Sequence, residues 1–169
     1  MVENSFNVYG PFVVPLIPRS RIINQESLSK FWKKVGAPIA SARGCYVFGV
    51  RTGRGIMPFY VGKATKRGFE KEAFADHKLA QHYDPVLGIR KRGKPIMFFI
   101  LEDRAKGRPN AGVVGEVERF LIGMGEIRNP KLSNRQHRDQ TEWSIHGVSC
   151  NCTGKPPASA SAFKRMMSS

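Results

Sequence analysis

Residues 44–62 place the tightest restriction on what this chain can fold into. The stretch opens Gly44-Cys45-Tyr46-Val47-Phe48-Gly49-Val50, crosses a basic Gly-rich turn at 51–55, and closes Met57-Pro58-Phe59-Tyr60-Val61-Gly62. Two short runs rich in β-branched and aromatic residues, divided by glycines, predict a β-hairpin with an irregular loop. Each run carries one tyrosine close to a glycine. Side chains alternate across a strand, so two paired strands can bring both phenols to one surface.

The remaining elements follow from periodicity and punctuation. Residues 5–18 are apolar but interrupted by Gly10, Pro11, Pro15 and Pro18. They predict an edge strand or a wrapping segment, since proline is excluded from central strands. A short helix over 28–35 opens at Asn24-Gln25-Glu26-Ser27 and stops at Gly36. A second helix is predicted over 69–83, with Pro85 beyond its end. On its wheel Phe69, Ala73, His77 and Ala80 share an apolar face, and Lys71, Lys78 and His82 share another. The unbroken run Pro95-Ile96-Met97-Phe98-Phe99-Ile100-Leu101 predicts a buried central strand. A third helix over about 113–127 carries the stripe Val113, Val117, Phe120, Leu121 and Met124, and Asn129-Pro130 ends it. A late strand at 143–148 and a last short helix at 162–167 complete the pattern. The order β-β-α-β-α predicts an α+β fold: a small three-stranded sheet flanked by helices. We divide the chain into an N-terminal extension (1–40), a core (41–135) and a C-terminal extension (136–169).

Charge points to the partner. Lys and Arg number 28 against 13 Asp and Glu, a formal net charge of +15 over 169 residues. Such an excess repels itself unless a polyanion offsets it, which favours DNA or RNA. No run approaches the length that spans a bilayer, and the polar start Val2-Glu3-Asn4 does not read as a signal peptide. These features predict a cytoplasmic protein with no membrane partner. Three cysteines make no disulfide framework. His146, Cys150 and Cys152, with His137, offer zinc-ligand chemistry, but their spacing is not that of a standard finger.

The motifs resemble those of the GIY-YIG nuclease family. Gly44-Cys45-Tyr46 stands for the first signature and Tyr60-Val61-Gly62 for the second, with 13 residues between the tyrosines. Glu118-Arg119-Phe120-Leu121-Ile122 matches the family's Glu-x-x-Leu-Ile pattern, and Asn129-Pro130-x-Leu132-x-Asn134 resembles the segment that ends in its asparagine. The resemblance covers about residues 43–134. It implies a GIY-YIG-like fold and a DNA endonuclease. It also implies Mg²⁺ (or Mn²⁺) held by Glu118, Tyr46 orienting or deprotonating the attacking water, and Tyr60 bonded to phosphate or water. One feature departs: the family's helix arginine, followed four residues later by His or Tyr, is absent. Lys78-x-x-x-His82 restores the spacing with lysine, and Lys71 is the alternative cation.

Phosphodiester hydrolysis needs an activated water, neutralised phosphate charge and help for the leaving oxygen. One carboxylate suits hydrated Mg²⁺, which keeps several waters. Glu118 lies at the edge of the apolar stripe, beside Val114, Leu121 and Gly125. Glu116 lies at the opposite edge. A phenol is a base at neutral pH only if a nearby cation lowers its pKa. His82 shares a face with Lys78 and can relay a proton; His77, on the apolar face, is the second histidine of the candidate set. Arg51, Arg54, Lys63, Lys66, Arg67, Lys71, Arg90, Lys91, Arg92 and Asn134 are the candidate nucleic-acid contacts, which position a duplex without reading it. A nucleic-acid-binding module of the same fold with weak or no activity is the competing reading, and an RNA-directed enzyme is a third.

Overall fold

Strand β4 (Lys94–Glu102) runs through the middle of the sheet, with Ile96, Met97, Phe98, Phe99 and Ile100 fully buried. The computed structural model in which it is seen describes residues 4–90, 92–103, 107–133, 143–148 and 155–168. Strand β4 pairs antiparallel with β2 (Gly44–Thr52) on one side and with β1 (Asn4–Val13) on the other. Strand β3 (Gly55–Ala64) pairs antiparallel outside β2, and β5 (Trp143–Ile145) adds a short parallel strand beyond β1. The order is β3-β2-β4-β1-β5.

The α+β class therefore stands, but the sheet is wider than the three strands expected. The residues before 41 supply β1. Phe6 and Val8 enter the core on alternate positions, as a strand requires. Pro11 sits where the register of β1 shifts between Tyr9 and Phe12, a place where a missing N–H removes no ladder bond.

Both faces of the sheet are covered. On one face Tyr46, Phe48 and Val50 of β2 join Met97 and Phe99 of β4 beneath α1 (Gln25–Val35), α2 (Ala37–Ala40) and the helical turns of 69–89. On the other, Cys45, Val47, Ile96, Phe98 and Ile100 lie beneath α6 (Ala111–Arg128) and α7 (Ala158–Met167). Each large apolar side chain fully removed from water contributes about 1.5–3 kcal/mol. This double coverage explains why β2 and β4 read as continuous apolar runs.

Helix α1 is built as predicted. The Asn24 side chain accepts from Ser27 N–H at 2.9 Å, and Gly36 stops the helix at a φ of 93°. Helix α6 buries Val114, Val117, Leu121, Ile122 and Gly125, so its true centre lies one position beyond Val113, Phe120 and Met124, which are only partly covered. Helix α7 begins at Ala158, earlier than expected, and lays Phe163 edge-on against Phe98 at 5.1 Å. No helix among the described residues is long and apolar enough to cross a membrane.

The single helix predicted over 69–83 is instead broken. It becomes α3 (Phe69–Glu72), α4 (Asp76–Lys78), a π turn (Leu79–Tyr83) and α5 (Asp84–Ile89). Two side chains take carbonyls that a straight helix needs: Lys78 Nζ donates to Glu72 O at 2.8 Å and Tyr83 Oη to Ala73 O at 2.7 Å. Pro85, expected beyond the helix, stands in the first turn of α5, where its absent N–H costs nothing.

Candidate active site

Tyr46 lies in central strand β2, paired in register with Gly62 on β3. A Cβ at residue 62 would overlap the Tyr46 ring and hydroxyl, so glycine is what lets the phenol cross β3. Tyr60, two residues earlier on the same face, brings its ring centroid to 6.2 Å from that of Tyr46. Phe69 closes the other side of Tyr46 edge-on at 6.1 Å. Tyr46 is wholly buried at 0% exposure, and Tyr60 keeps 9%.

Lys78 is buried at 5% exposure, unlike most lysines. All three N–H donors of its ammonium find acceptors. They reach Tyr46 Oη at 2.6 Å, Glu72 O at 2.8 Å and Glu72 Oε1 at 2.6 Å. A side-chain hydrogen bond also joins the Tyr46 and Tyr60 hydroxyls. Lys78, Tyr46 and Tyr60 thus form one chain of hydrogen bonds. Burial raises the Tyr46 pKa far above its ordinary value, and the charges of Tyr83, Tyr60 and Glu72 push the same way. Burial also raises Tyr60, to about 12, with the Glu118 charge adding to it and the bond from Tyr46 opposing it. The ammonium does not overcome burial, so both phenols stay protonated at neutral pH. The Tyr46 hydroxyl is buried and bonded to Lys78 and Tyr60.

His82 sits in the π turn, an irregularity that recurs at functional sites. Its ring lies on Tyr60, centroids 4.3 Å apart and tilted by 30°. Its Nδ1 is hydrogen-bonded to Ser133 Oγ. Desolvation lowers the His82 pKa, and the neighbouring His77 and Lys78 lower it further. The imidazole is therefore neutral at neutral pH. His77 is exposed, not on an apolar face, because the break after α3 resets the helical phase. Lys71 is exposed as well and outside the hydrogen-bonded chain.

Glu118 approaches from the other side of the sheet edge. Its side chain, 17% exposed, accepts an ion pair from Lys63 Nζ at 2.7 Å, and the Lys63 side chain is 43% exposed. Lys63 pairs with Cys45, whose side chain belongs to the second core, so Lys63 and Tyr60 point to opposite faces of β3. Strand β3 is the terminal strand, and Glu118 beside it is near enough to raise the Tyr60 pKa.

Among the described residues no group of three or more His, Cys, Asp or Glu gathers to hold a metal ion. Glu118 stands as a single hard oxygen donor. That donor set fits hydrated Mg²⁺, which binds through one or two carboxylates and substrate phosphate. The exposed ammonium of Lys63 would have to move off Glu118 to admit it.

The basic candidates lie at both ends of the hairpin. Lys66 and Arg67 are exposed on the turn between β3 and α3. Arg51 and Arg54 lie at the tip of the β2–β3 hairpin, and Arg90 covers the Phe59 ring at 5.6 Å. Arg92 is exposed, whereas Lys91 and Asn134 lie outside the described residues, as do His137, Cys150 and Cys152.

Three supporting residues escaped the sequence reading. Glu72 holds Lys78, and Ser133 holds His82. Asn129 is buried, donating from Nδ2 to Pro58 O at 2.7 Å and accepting Lys131 N–H at 3.0 Å. With Ser133 N–H donating to Phe59 O at 2.8 Å, Asn129 pins the segment after α6 along β3 and so brings Ser133 to His82. The signals for it were the helix-ending Asn129-Pro130 pair and its place at the head of the 129–134 segment. No family model, curated protein or solved structure matches the chain.

Proposed function

We propose that this protein is a Mg²⁺- or Mn²⁺-dependent endonuclease of the GIY-YIG type that hydrolyses DNA phosphodiester bonds. One observation carries the reading. Residues far apart in sequence, Lys78, Tyr46, Tyr60 and His82, join in one contact chain at the edge strand, beside the Glu118 carboxylate. A charge of +15 supplies the attraction for a polyanion.

In this mechanism Lys78 fixes Tyr46, and Tyr46 aims the Tyr60 hydroxyl. Tyr60 hydrogen-bonds the phosphate or the attacking water at the edge of β3. His82, neutral and held at Nδ1 by Ser133, accepts the water's proton through its other ring nitrogen. Lys63 transfers its ammonium from Glu118 to a phosphate oxygen. Glu118 would hold the metal, whose chemistry is to neutralise charge on the phosphate and favour ionisation of water. Arg51, Lys66, Arg67 and Lys71 contact flanking phosphates.

The Lys63–Glu118 ion pair favours a second reading, a nucleic-acid-binding module of the same fold in which the carboxylate serves structure. Plasmid nicking by the purified protein in Mg²⁺ separates the two. On the nuclease reading Glu118→Ala abolishes cleavage with DNA binding intact, and Glu116→Ala keeps most of it. Binding without any cleavage by the parent protein selects the module. An active Glu118→Ala beside a dead Glu116→Ala overturns the site.

A further inference from the structure

A second cleft opens at the far end of the same hairpin. Its walls include Arg54 and Ile56 of the hairpin, Met57, Phe59, Arg90 and, from the last turn of α6, Arg128. Three arginines line it, and no acidic residue is among the described residues that do. Two of the three are held in place. Arg90 lies over Phe59, and its loop is tied down because Arg21 Nη2 donates to Arg90 O at 2.8 Å and to Gly93 O at 2.7 Å. Arg128 Nε donates to Met166 O at 3.2 Å, and its terminal nitrogens carry no ion pair among the described residues. Uncompensated cations gathered around an apolar floor repel one another until an anion enters. Guanidinium forks are matched to phosphate, and apolar walls suit the sugar and base attached to one.

From this geometry we infer a nucleotide-binding pocket: it seats one phosphate of a DNA strand among Arg54, Arg90 and Arg128, with the attached nucleoside against Met57. The inference rests on the DNA reading above and extends it to a contact away from the cleaving centre. It assigns a role to Arg128 and makes the hairpin tip a fixed anchor for the strand.

The test is a titration followed by ¹H–¹⁵N NMR, including the arginine Nε–H signals, with sodium phosphate, thymidine 5′-monophosphate, thymidine and a single-stranded 12-nucleotide DNA as separate probes. The phosphate-bearing probes should shift the Arg54, Arg90 and Arg128 signals, and thymidine alone should not. Arg128→Ala should weaken 12-mer binding about fivefold or more and lower the slope of log affinity against log salt by roughly 0.7 for the single lost contact. Arg54→Ala should do the same; the Arg54 side chain makes no bond in the fold among the described residues, so this variant guards against a folding defect in Arg128→Ala. Phosphate shifts confined to Lys66 and Arg67 overturn the pocket. So does phosphate bound in the pocket that the 12-mer fails to displace. If the parent cleaves DNA while Arg54→Ala and Arg128→Ala bind it with unchanged affinity, the pocket falls and the nuclease reading stands. If the pocket takes the 12-mer but the protein never cleaves, the pocket stands and the nuclease reading falls.

Discussion

Lys78 presents its ammonium to the Tyr46 hydroxyl at 2.6 Å, both groups being buried beneath the helical turns of 69–89. The pair changes what a lysine in this position does. Lys78 holds the phenol of Tyr46, which in turn is bonded to Tyr60. Glu72 takes the remaining donors and offsets the charge, so the ammonium is buried but paired.

Replacing Lys78 should therefore harm folding before it harms DNA affinity. Lys78→Met leaves the Glu72 carboxylate without its partner and the Tyr46 hydroxyl without its donor. The wholly buried Tyr46 hydroxyl so orphaned costs about 1–3 kcal/mol, while the Glu72 carboxylate, 31% exposed, regains water and adds less. For a chain of this length each kcal/mol lowers the melting temperature by roughly 2–4 °C. Thermal denaturation followed by circular dichroism reads this directly. A melting temperature equal to the parent's would mean that the ammonium is not engaged with Tyr46 and Glu72.

Gly62 tests the same network from the strand opposite. A methyl group there meets the Tyr46 ring and hydroxyl, and the phenol must move or the strands must part. Gly62→Ala should cost roughly 1–3 kcal/mol, the range for overpacking a filled site. Gly53→Ala is the comparison, because a Cβ at residue 53 meets nothing within 4 Å. Equal melting temperatures for the two variants would contradict the close approach of Tyr46 to β3.

How much of this was legible in the sequence depended on whether local chemistry or tertiary contact decided each element. The hairpin, the buried run of β4 and the capped helix α1 carried their own signals, and each is where periodicity placed it. The broken helix was not legible. Its wheel put Lys78 and His82 on one polar face, but Lys78 and Tyr83 side chains capture the Glu72 and Ala73 carbonyls, and only the folded sheet sets up those bonds. Strand β1 was missed as a full member of the sheet because its prolines argued against it, and the register shift that accommodates Pro11 leaves no mark in composition. In the candidate site, the tyrosines and Glu118 were visible through their motifs. Glu72, Asn129 and Ser133 were not, since their part is to hold other side chains.

Binding to DNA should weaken steeply with salt. Each phosphate neutralised by Lys or Arg releases counterions, and log affinity falls with log salt by roughly 0.9 per contact on duplex DNA. If Arg51, Lys66, Arg67 and Lys71 all engage, the slope from fluorescence anisotropy should be on the order of 4 or steeper. A slope near zero would remove nucleic acid as the partner.

The pH dependence isolates His82. Its pKa lies below the ordinary histidine value because desolvation, His77 and Lys78 all disfavour the imidazolium. Only the neutral ring can accept a proton from water. The single-turnover cleavage rate should therefore fall as pH drops below about 6.5, the ordinary histidine value, and level off across neutral pH. Tyr60, raised to about 12, should add no inflection between neutral pH and about 10. His82→Ala should lower the plateau by a factor of roughly 10²–10⁴ and remove the acid limb, because the titrating base is gone. His82→Gln keeps a polar side chain for Ser133 but supplies no base, so it should resemble His82→Ala in rate while melting nearer the parent. An acid limb that survives in both variants would assign the proton transfer to a different group and leave His82 as packing for Tyr60.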